Sequence, residues 1–384
     1  MPVYLDYHAT TLIDPRVAAE MRPWLGERFG NPASTGHAVG RAAAEAVAAA
    51  RTTIAAAIGA EAESIIFTSG ATEANNLALK GVLQAAGRGA QLITNAAEHR
   101  SVLDPARRLR REGCGVTIVP VDPHGRVDPR QIENALQPAT RLVSVMLANN
   151  EVGTANPIRE IGDLCRERGV LLHCDAAQAV GKLPLDLEAL PVDLLTFNAH
   201  KLCGPQGIGA LYIRKADPPI PLLPLIDGGG HERGLRSGTL PVALIIGFAA
   251  AVRIAVAERD TEQPRVALLR DRLRSALAGS LNELTFHGHP VERLAGNLNV
   301  GFEGVDGDAL LIGVAERGLC VSSGSACTTA NPEPSHVLRA MGVRDGLARA
   351  SLRFGLGRFT TADEVDAAAE IVVEVVRALR GAKV

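Results

Sequence analysis

The chain has 384 residues, 47% of them apolar and 21% charged, with a formal net charge of -2. It is too apolar to be disordered and long enough for two packed domains. Its near-zero charge, without any long Lys/Arg block, excludes an electrostatic footprint for nucleic acid or an anionic membrane, which leaves a small molecule or a protein as the expected partner. The opening "MPVYLDYHATT" has no basic region leading into an apolar stretch, and no window of about 18 residues is apolar throughout, so a cytoplasmic protein is expected.

In chain order, "SIIFTSG", "QLITNAAEH", "GVTIVPVD", "RLVSVMLANNEVG", "GVLLHCDAAQ", "VDLLTFNAHK" and "GIGALYIRK" read as short strands, with Ala/Leu/Glu/Arg-rich helical stretches between most of them. Their apolarity is continuous rather than alternating, which predicts strands covered on both faces. The fold class is α/β, a mainly parallel sheet flanked by helices. Past residue 240 a helical stretch from Val242 to Ala257 runs into the charged, proline-containing break "ERDTEQPR", where a domain boundary is expected. Residues 14–257 would form the large domain, and residues 1–13 with 258–384 a smaller α+β domain that ends on the helix "TADEVDAAAEIVVEVVRALRG".

Ligands of open α/β sheets gather beyond the carboxyl ends of the strands, so the residues that follow each strand carry the chemistry. After "SIIFT" comes the small-residue turn Ser69-Gly70-Ala71-Thr72, which opens a helix and offers backbone N–H groups and a hydroxyl to a phosphate. His99 follows the next strand, Asn149 and Asn150 a later one, then Asp175 and Gln178, and finally Asn198, His200 and Lys201. A phosphate cradle, one carboxylate, two histidines, amides and one lysine together suit a pyridoxal phosphate enzyme. An aldehyde cofactor needs an amine, supplied by Lys201, and its pyridine nitrogen stays protonated only opposite a buried carboxylate, supplied by Asp175. His99 can stack on the ring, and Asn150 or Gln178 can bond to its hydroxyl.

The six cysteines contain no pair at metal-finger spacing, so neither a zinc site nor a disulfide framework is expected. Cys165, Cys174 and Cys320 fit as small buried residues, and Cys114 and Cys203 occupy turn-like contexts. Cys327 differs: it lies in "SSGSACTTANPEP", a polar run of Ser, Gly, Thr, Asn and Pro that builds no core.

These strings occur in an order that resembles a known family. "YLDYHATT", "IFTSGATEANNLALKG", "EHRSVLD", "NNEVG", "HCDAAQAVGK", "AHKLCGPQGIGALY", "GGGHERGLRSGT", "SSGSACTTANPEPSHVLRAMG" and "SLRFGLGRFTT" are similar to the cysteine desulfurases of the IscS/NifS type, within the class V aminotransferase group of fold-type I pyridoxal phosphate enzymes. The resemblance implies that Lys201 holds the cofactor covalently, Asp175 pairs with its ring nitrogen, and His99 stacks on the ring and assists proton transfer. It implies Asn150 and Gln178 at the ring hydroxyl, and Ala71, Thr72, Asn198 and His200 at the phosphate. Asn198 stands where the family usually has Ser. Thr239 would reach the phosphate of a neighbouring subunit in a homodimer, and Arg353 would grip the carboxylate of the substrate L-cysteine, with Asn150 also at the substrate. Cys327 would take the substrate sulfur as a persulfide, on a mobile loop of about residues 322–335, and pass it to an acceptor or scaffold protein. Iron-sulfur cluster assembly, tRNA thiolation and DNA sulfur modification all remain open as destinations. No metal ligand and no direct nucleic-acid contact is implied. A different pyridoxal phosphate enzyme would share Lys201 and Asp175 but would have no need of a loop thiol, and a non-catalytic scaffold would need neither.

Overall fold

The computed structural model of the chain describes residues 2–323 and 333–381. Its strands are β1 (Val3–Tyr4), β2 (Ile65–Thr68), β3 (Gln91–Asn95), β4 (Gly115–Val119), β5 (Thr140–Ser144), β6 (Leu171–Asp175), β7 (Leu194–Asn198), β8 (Gly209–Ile213), β9 (Leu284–His287), β10 (Asn297–Phe302), β11 (Leu319–Cys320), β12 (Ser322–Ser323) and β13 (Ser351–Gly355). The helices are α1 (Pro15–Met21), α2 (Ala38–Ala56), α3 (Ala71–Ala86), α4 (Arg100–Arg111), α5 (Pro129–Ala135), α6 (Ile158–Glu167), α7 (Val242–Ser280), α8 (Gly307–Glu316), α9 (His336–Ala340), α10 (Asp345–Arg349) and α11 (Ala362–Gly381).

The strand-like runs of the first half form one seven-stranded sheet in the order β2-β8-β7-β6-β5-β3-β4. Successive side chains of a strand point to opposite faces. Phe67, Val143 and Leu195 accordingly enter one apolar cluster, while their neighbours Ile66, Leu142 and Leu194 enter another on the opposite face. Burial on both faces is why these runs are apolar without alternation; β4, at the edge of the sheet, is the exception and leaves Ile118 exposed. Six strands share one direction, and β8 is antiparallel to both β7 and β2. The connection 199–208 is too short for the helical crossover that a parallel partner requires. The carboxyl ends of β2, β3, β5, β6 and β7 therefore lie along one edge of the sheet.

A second sheet, β12-β13-β10-β9, is antiparallel and packs with α11 over a separate core that includes Phe302, Phe354 and Leu5. The charged stretch that reads as a break after Ala257 is helical instead: α7 is continuous over 39 residues with Pro264 inside it. A proline within a helix forfeits a backbone hydrogen bond and strains the turn before it. Packing at both ends compensates, because Ile245 to Ala255 join the first core, whereas Val266, Leu273 and Leu277 join the second. The expected boundary at 257/258 thus falls inside a helix rather than in a linker.

Gly209, the first residue of β8, carries the fold to the functional edge. A Cβ there would come within 2.7 Å of the Gly70 Cα and 2.8 Å of the Phe197 carbonyl oxygen, both backbone atoms. Only glycine lets the β2–α3 turn lie across the start of β8. Gly209→Ala is expected to lower the unfolding free energy by about 1–3 kcal/mol, the usual range for overpacking, and a denaturant titration reads it.

Candidate active site

The carboxyl edge of the large sheet opens into a cavity of about 620 Å³. Its lining includes Ala71, Thr72, His99, Asn150, Asp175, Gln178, Asn198, His200, Lys201 and Arg353, so ten of the residues singled out in the sequence converge there. Thr239 does not: it is exposed and lies outside this chain's cavity. Cys327 lies outside the described residues.

Asp175 ends β6 and is 6% exposed, so its charge needs donors at hand. Oδ1 accepts from the Ala177 N–H at 2.9 Å, and Oδ2 accepts from the Asn75 side-chain amide at 2.7 Å. The same Asn75 nitrogen donates to Ser101 Oγ at 2.8 Å, and Ser101 Oγ lies 2.7 Å from His99 Nδ1. Asn75 and Ser101 were not singled out in the sequence. The signal was present for Asn75, a polar residue on the buried stripe of α3 beside Ala74 and Ala78, where a buried amide needs a polar partner.

His99 is the N-cap of α4, and its Nδ1 accepts from the Ser101 backbone N–H at 3.1 Å. A backbone N–H can only donate, so the neutral ring carries its proton on Nε2. Burial lowers the His99 pKa, with Lys201 acting in the same direction and Asp175 opposing. The ring is held neutral, with a donor at Nε2. His200 is lowered further, to about 4, by burial and by the cations Lys201 and Lys182.

The Lys201 ammonium donates to the carbonyl of His8 at 2.6 Å and also to that of Ala9. The turn that carries Lys201 is tied to the same N-terminal segment, since Thr11 Oγ1 donates to the His200 carbonyl at 2.8 Å. Gln178 is drawn in as well: its Nε2 donates to the His8 carbonyl at 2.9 Å, and its Oε1 lies 3.1 Å from His8 Nδ1 and accepts from Lys182. Asn149, by contrast, is spent on the fold. Its side chain donates to the Ala97 carbonyl and accepts from the N–H groups of Glu151 and Val152.

The aminotransferase class-V family model matches residues 3–368. The cysteine desulfurase IscS of Anaeromyxobacter dehalogenans is 52% identical over 381 residues, which cover 99% of this chain and 94% of the relative. Among solved structures, a NifS-like protein superposes with a TM-score of 0.92 at 37% identity, covering 99% of this chain and 100% of that one. The structure of SspA in complex with cysteine has a TM-score of 0.81 at 36% identity, covering 93% of this chain and 99% of that one. The chain belongs to the aminotransferase class-V family, among its cysteine desulfurases. The fold read from the sequence, a mainly parallel sheet flanked by helices, agrees with that membership. Among the described residues no helix is long and apolar enough to cross a membrane.

The cysteines of this family member separate by environment. Burial pushes the Cys165 thiol up to about 12 and that of Cys174 well above its ordinary value, and it raises Cys114 and Cys203 too. A thiol that resists ionisation is a poor nucleophile. Cys203 is buried and Cys114 partly so, which decides the two turn-like contexts. Cys320, expected to be buried, is only partly so, because β11 is a two-residue strand at the edge of the second core.

Glu98, immediately before His99, is fully buried. Its Oε1 accepts from the Met146 N–H at 2.6 Å and from the Asn95 amide at 2.5 Å. Burial pushes this carboxyl up to about 8, with repulsion from Asp175 adding to the rise. The folded chain therefore keeps a proton that the unfolded chain gives up. The associated stability is complete below the ordinary carboxylate range and is lost as pH rises toward about 8. Glu98→Gln, which mimics the protonated form, is expected to match the wild type near pH 4 and to gain on it up to about pH 8. The gap should widen by about 1.4 kcal/mol per pH unit at most, read from denaturant titrations across that range.

Proposed function

We propose that the protein removes sulfur from L-cysteine, giving L-alanine and a persulfide on Cys327 that an acceptor protein collects. The observation that carries this reading is the convergence of Lys201, Asp175, His99 and Arg353 on one cavity. Family membership supports it, as does a cysteine-bound structural relative.

The cofactor implied is pyridoxal 5'-phosphate, and the residues fit it. The cavity has room for a substituted pyridine and an amino acid together. Asp175 offers a buried carboxylate for the ring nitrogen, and the N-terminus of α3 at Ala71 and Thr72 offers backbone N–H groups to the phosphate. Lys201 would hold the aldehyde, Asp175 the protonated ring nitrogen, and His99 a ring face. Asn150 and Gln178 would address the ring hydroxyl, and Ala71, Thr72, Asn198 and His200 the phosphate, with Thr239 reaching the phosphate of a second copy in a homodimer. When bound, the cofactor supplies an electron sink that lets the substrate Cα–H and C–S bonds weaken.

The chain's own groups do the rest. The α-carboxylate of L-cysteine meets the Arg353 guanidinium, which suits a planar two-oxygen ligand. Lys201 takes the Cα proton, and the neutral His99, with a donor at Nε2, serves the protons that follow. The Cys327 thiolate then attacks the substrate sulfur. An S–S bond forms and the C–S bond breaks. Its electron pair stays with the carbon fragment, which takes up protons and leaves as L-alanine. Iron-sulfur cluster assembly, tRNA thiolation and DNA sulfur modification are the pathways that the persulfide could supply.

The test mixes the cofactor-loaded protein with L-cysteine and a reductant. Sulfide and L-alanine are expected in equal amounts, and Cys327→Ala is expected to lose nearly all sulfide release. Undiminished sulfide from that variant would overturn the assignment. Lys201→Ala should in addition lose the visible absorption of the bound cofactor.

A further inference from the structure

Arg353 lies on β13 and is 3% exposed. A cation so buried needs acceptors, and two are bonded to it. Nη2 donates to Asp6 Oδ1 at 2.8 Å, and Nη1 donates to the Asn150 carbonyl at 3.3 Å. Its Nε is buried without a hydrogen-bond partner. A guanidinium has five N–H groups, so donors remain for a further carboxylate.

Asp6 was not among the residues singled out in the sequence, and it does not line the cavity. The main chain fixes its place. Asp6 bridges Gly355, the Tyr7 N–H donates to the Gly355 carbonyl at 3.1 Å, and the Gly355 N–H donates to the Leu5 carbonyl at 2.7 Å. A Cβ on Gly355 would lie 2.8 Å from the backbone nitrogens of Tyr7 and His8, so glycine is what lets the N-terminal segment lie against β13.

The second oxygen of Asp6 decides the geometry. Oδ2 accepts from Ser322 Oγ at 2.9 Å, and Ser322 is the direct register partner of Arg353 in the β12–β13 pair. With Oδ2 engaged there, Asp6 meets Arg353 through one oxygen. Aspartate and arginine otherwise favour a two-oxygen fork, which would spend a second N–H group of the guanidinium. Ser322 thereby draws Oδ2 toward its own hydroxyl, and Oδ1 alone bonds Arg353.

We propose that Asp6 is a positioning residue for substrate recognition: held to one-oxygen contact beside Ser322, it orients the Arg353 guanidinium and leaves N–H groups of it to the substrate α-carboxylate. The inference rests on Arg353 as the carboxylate-binding residue and is independent of the sulfur chemistry.

The experiment measures binding to the cofactor-loaded protein by calorimetry with two probes, L-alanine and ethylamine. They share the amine, and only L-alanine carries a carboxylate. Asp6→Asn should weaken L-alanine by roughly 10-fold or more, the value of a charge-assisted hydrogen bond, and leave ethylamine within about 2-fold. Ser322→Ala, which frees Oδ2 to take a second N–H group of Arg353, should weaken L-alanine by several-fold, again sparing ethylamine. It serves as the test should Asp6→Asn fail to fold. Unchanged L-alanine binding, or equal losses for both probes, overturns the proposal. A wild type that binds L-alanine yet releases no sulfide from L-cysteine would sink the desulfurase reading and leave this one standing.

Discussion

A carboxylate buried at the end of a strand sets the terms for the rest of the site. Asp175 has almost no water, and an unpaired charge there would cost several kcal/mol. The fold answers with the Ala177 N–H and the Asn75 amide, one on each oxygen. Because Asn75 sits on α3, whose first turn is Ala71 and Thr72, the same helix that satisfies Asp175 brings that turn to the cavity. Through Ser101 it also reaches His99, so Asp175 and His99 are placed by one continuous hydrogen-bonded chain.

The N-terminal segment does comparable work from the opposite side. Its carbonyls at His8 and Ala9 accept from Lys201, its Thr11 hydroxyl donates to the His200 carbonyl, and its Asp6 holds Arg353. The backbone of residues 3–7 is paired meanwhile to β11 and to Gly355. A few residues at the start of the chain therefore join the turn that carries Lys201 to the second sheet that carries Arg353. Leu5, buried in the second core, gives this segment its apolar anchor.

Much of the fold was legible because burial on both faces leaves a plain mark. Each continuous apolar run became a strand of the large sheet, and the chemical groups that followed those runs came together at its carboxyl edge. The direction of β8 left no such mark, since an apolar run looks the same read either way; the short connection before it decided the matter. The stretch after Ala257 carries a misleading local signal for a related reason. Charge and Pro264 argue locally for a break, but α7 is held at each end by a different core, and local propensity yields to that packing.

The sequence by itself determined which chemical groups would stand at the site: the order of strands and the residues after them placed Lys201, Asp175, His99 and Asn198 on one edge, because the carboxyl ends of parallel strands share a side. Only the tertiary structure decided what holds those groups in working states. Asn75 and Ser101 join Asp175 to His99, and Asp6 and Ser322 set Arg353, through hydrogen bonds between residues as far apart as Asp6 and Arg353. No local pattern encodes such partners, because which donor satisfies a buried acceptor depends on which elements packing brings face to face.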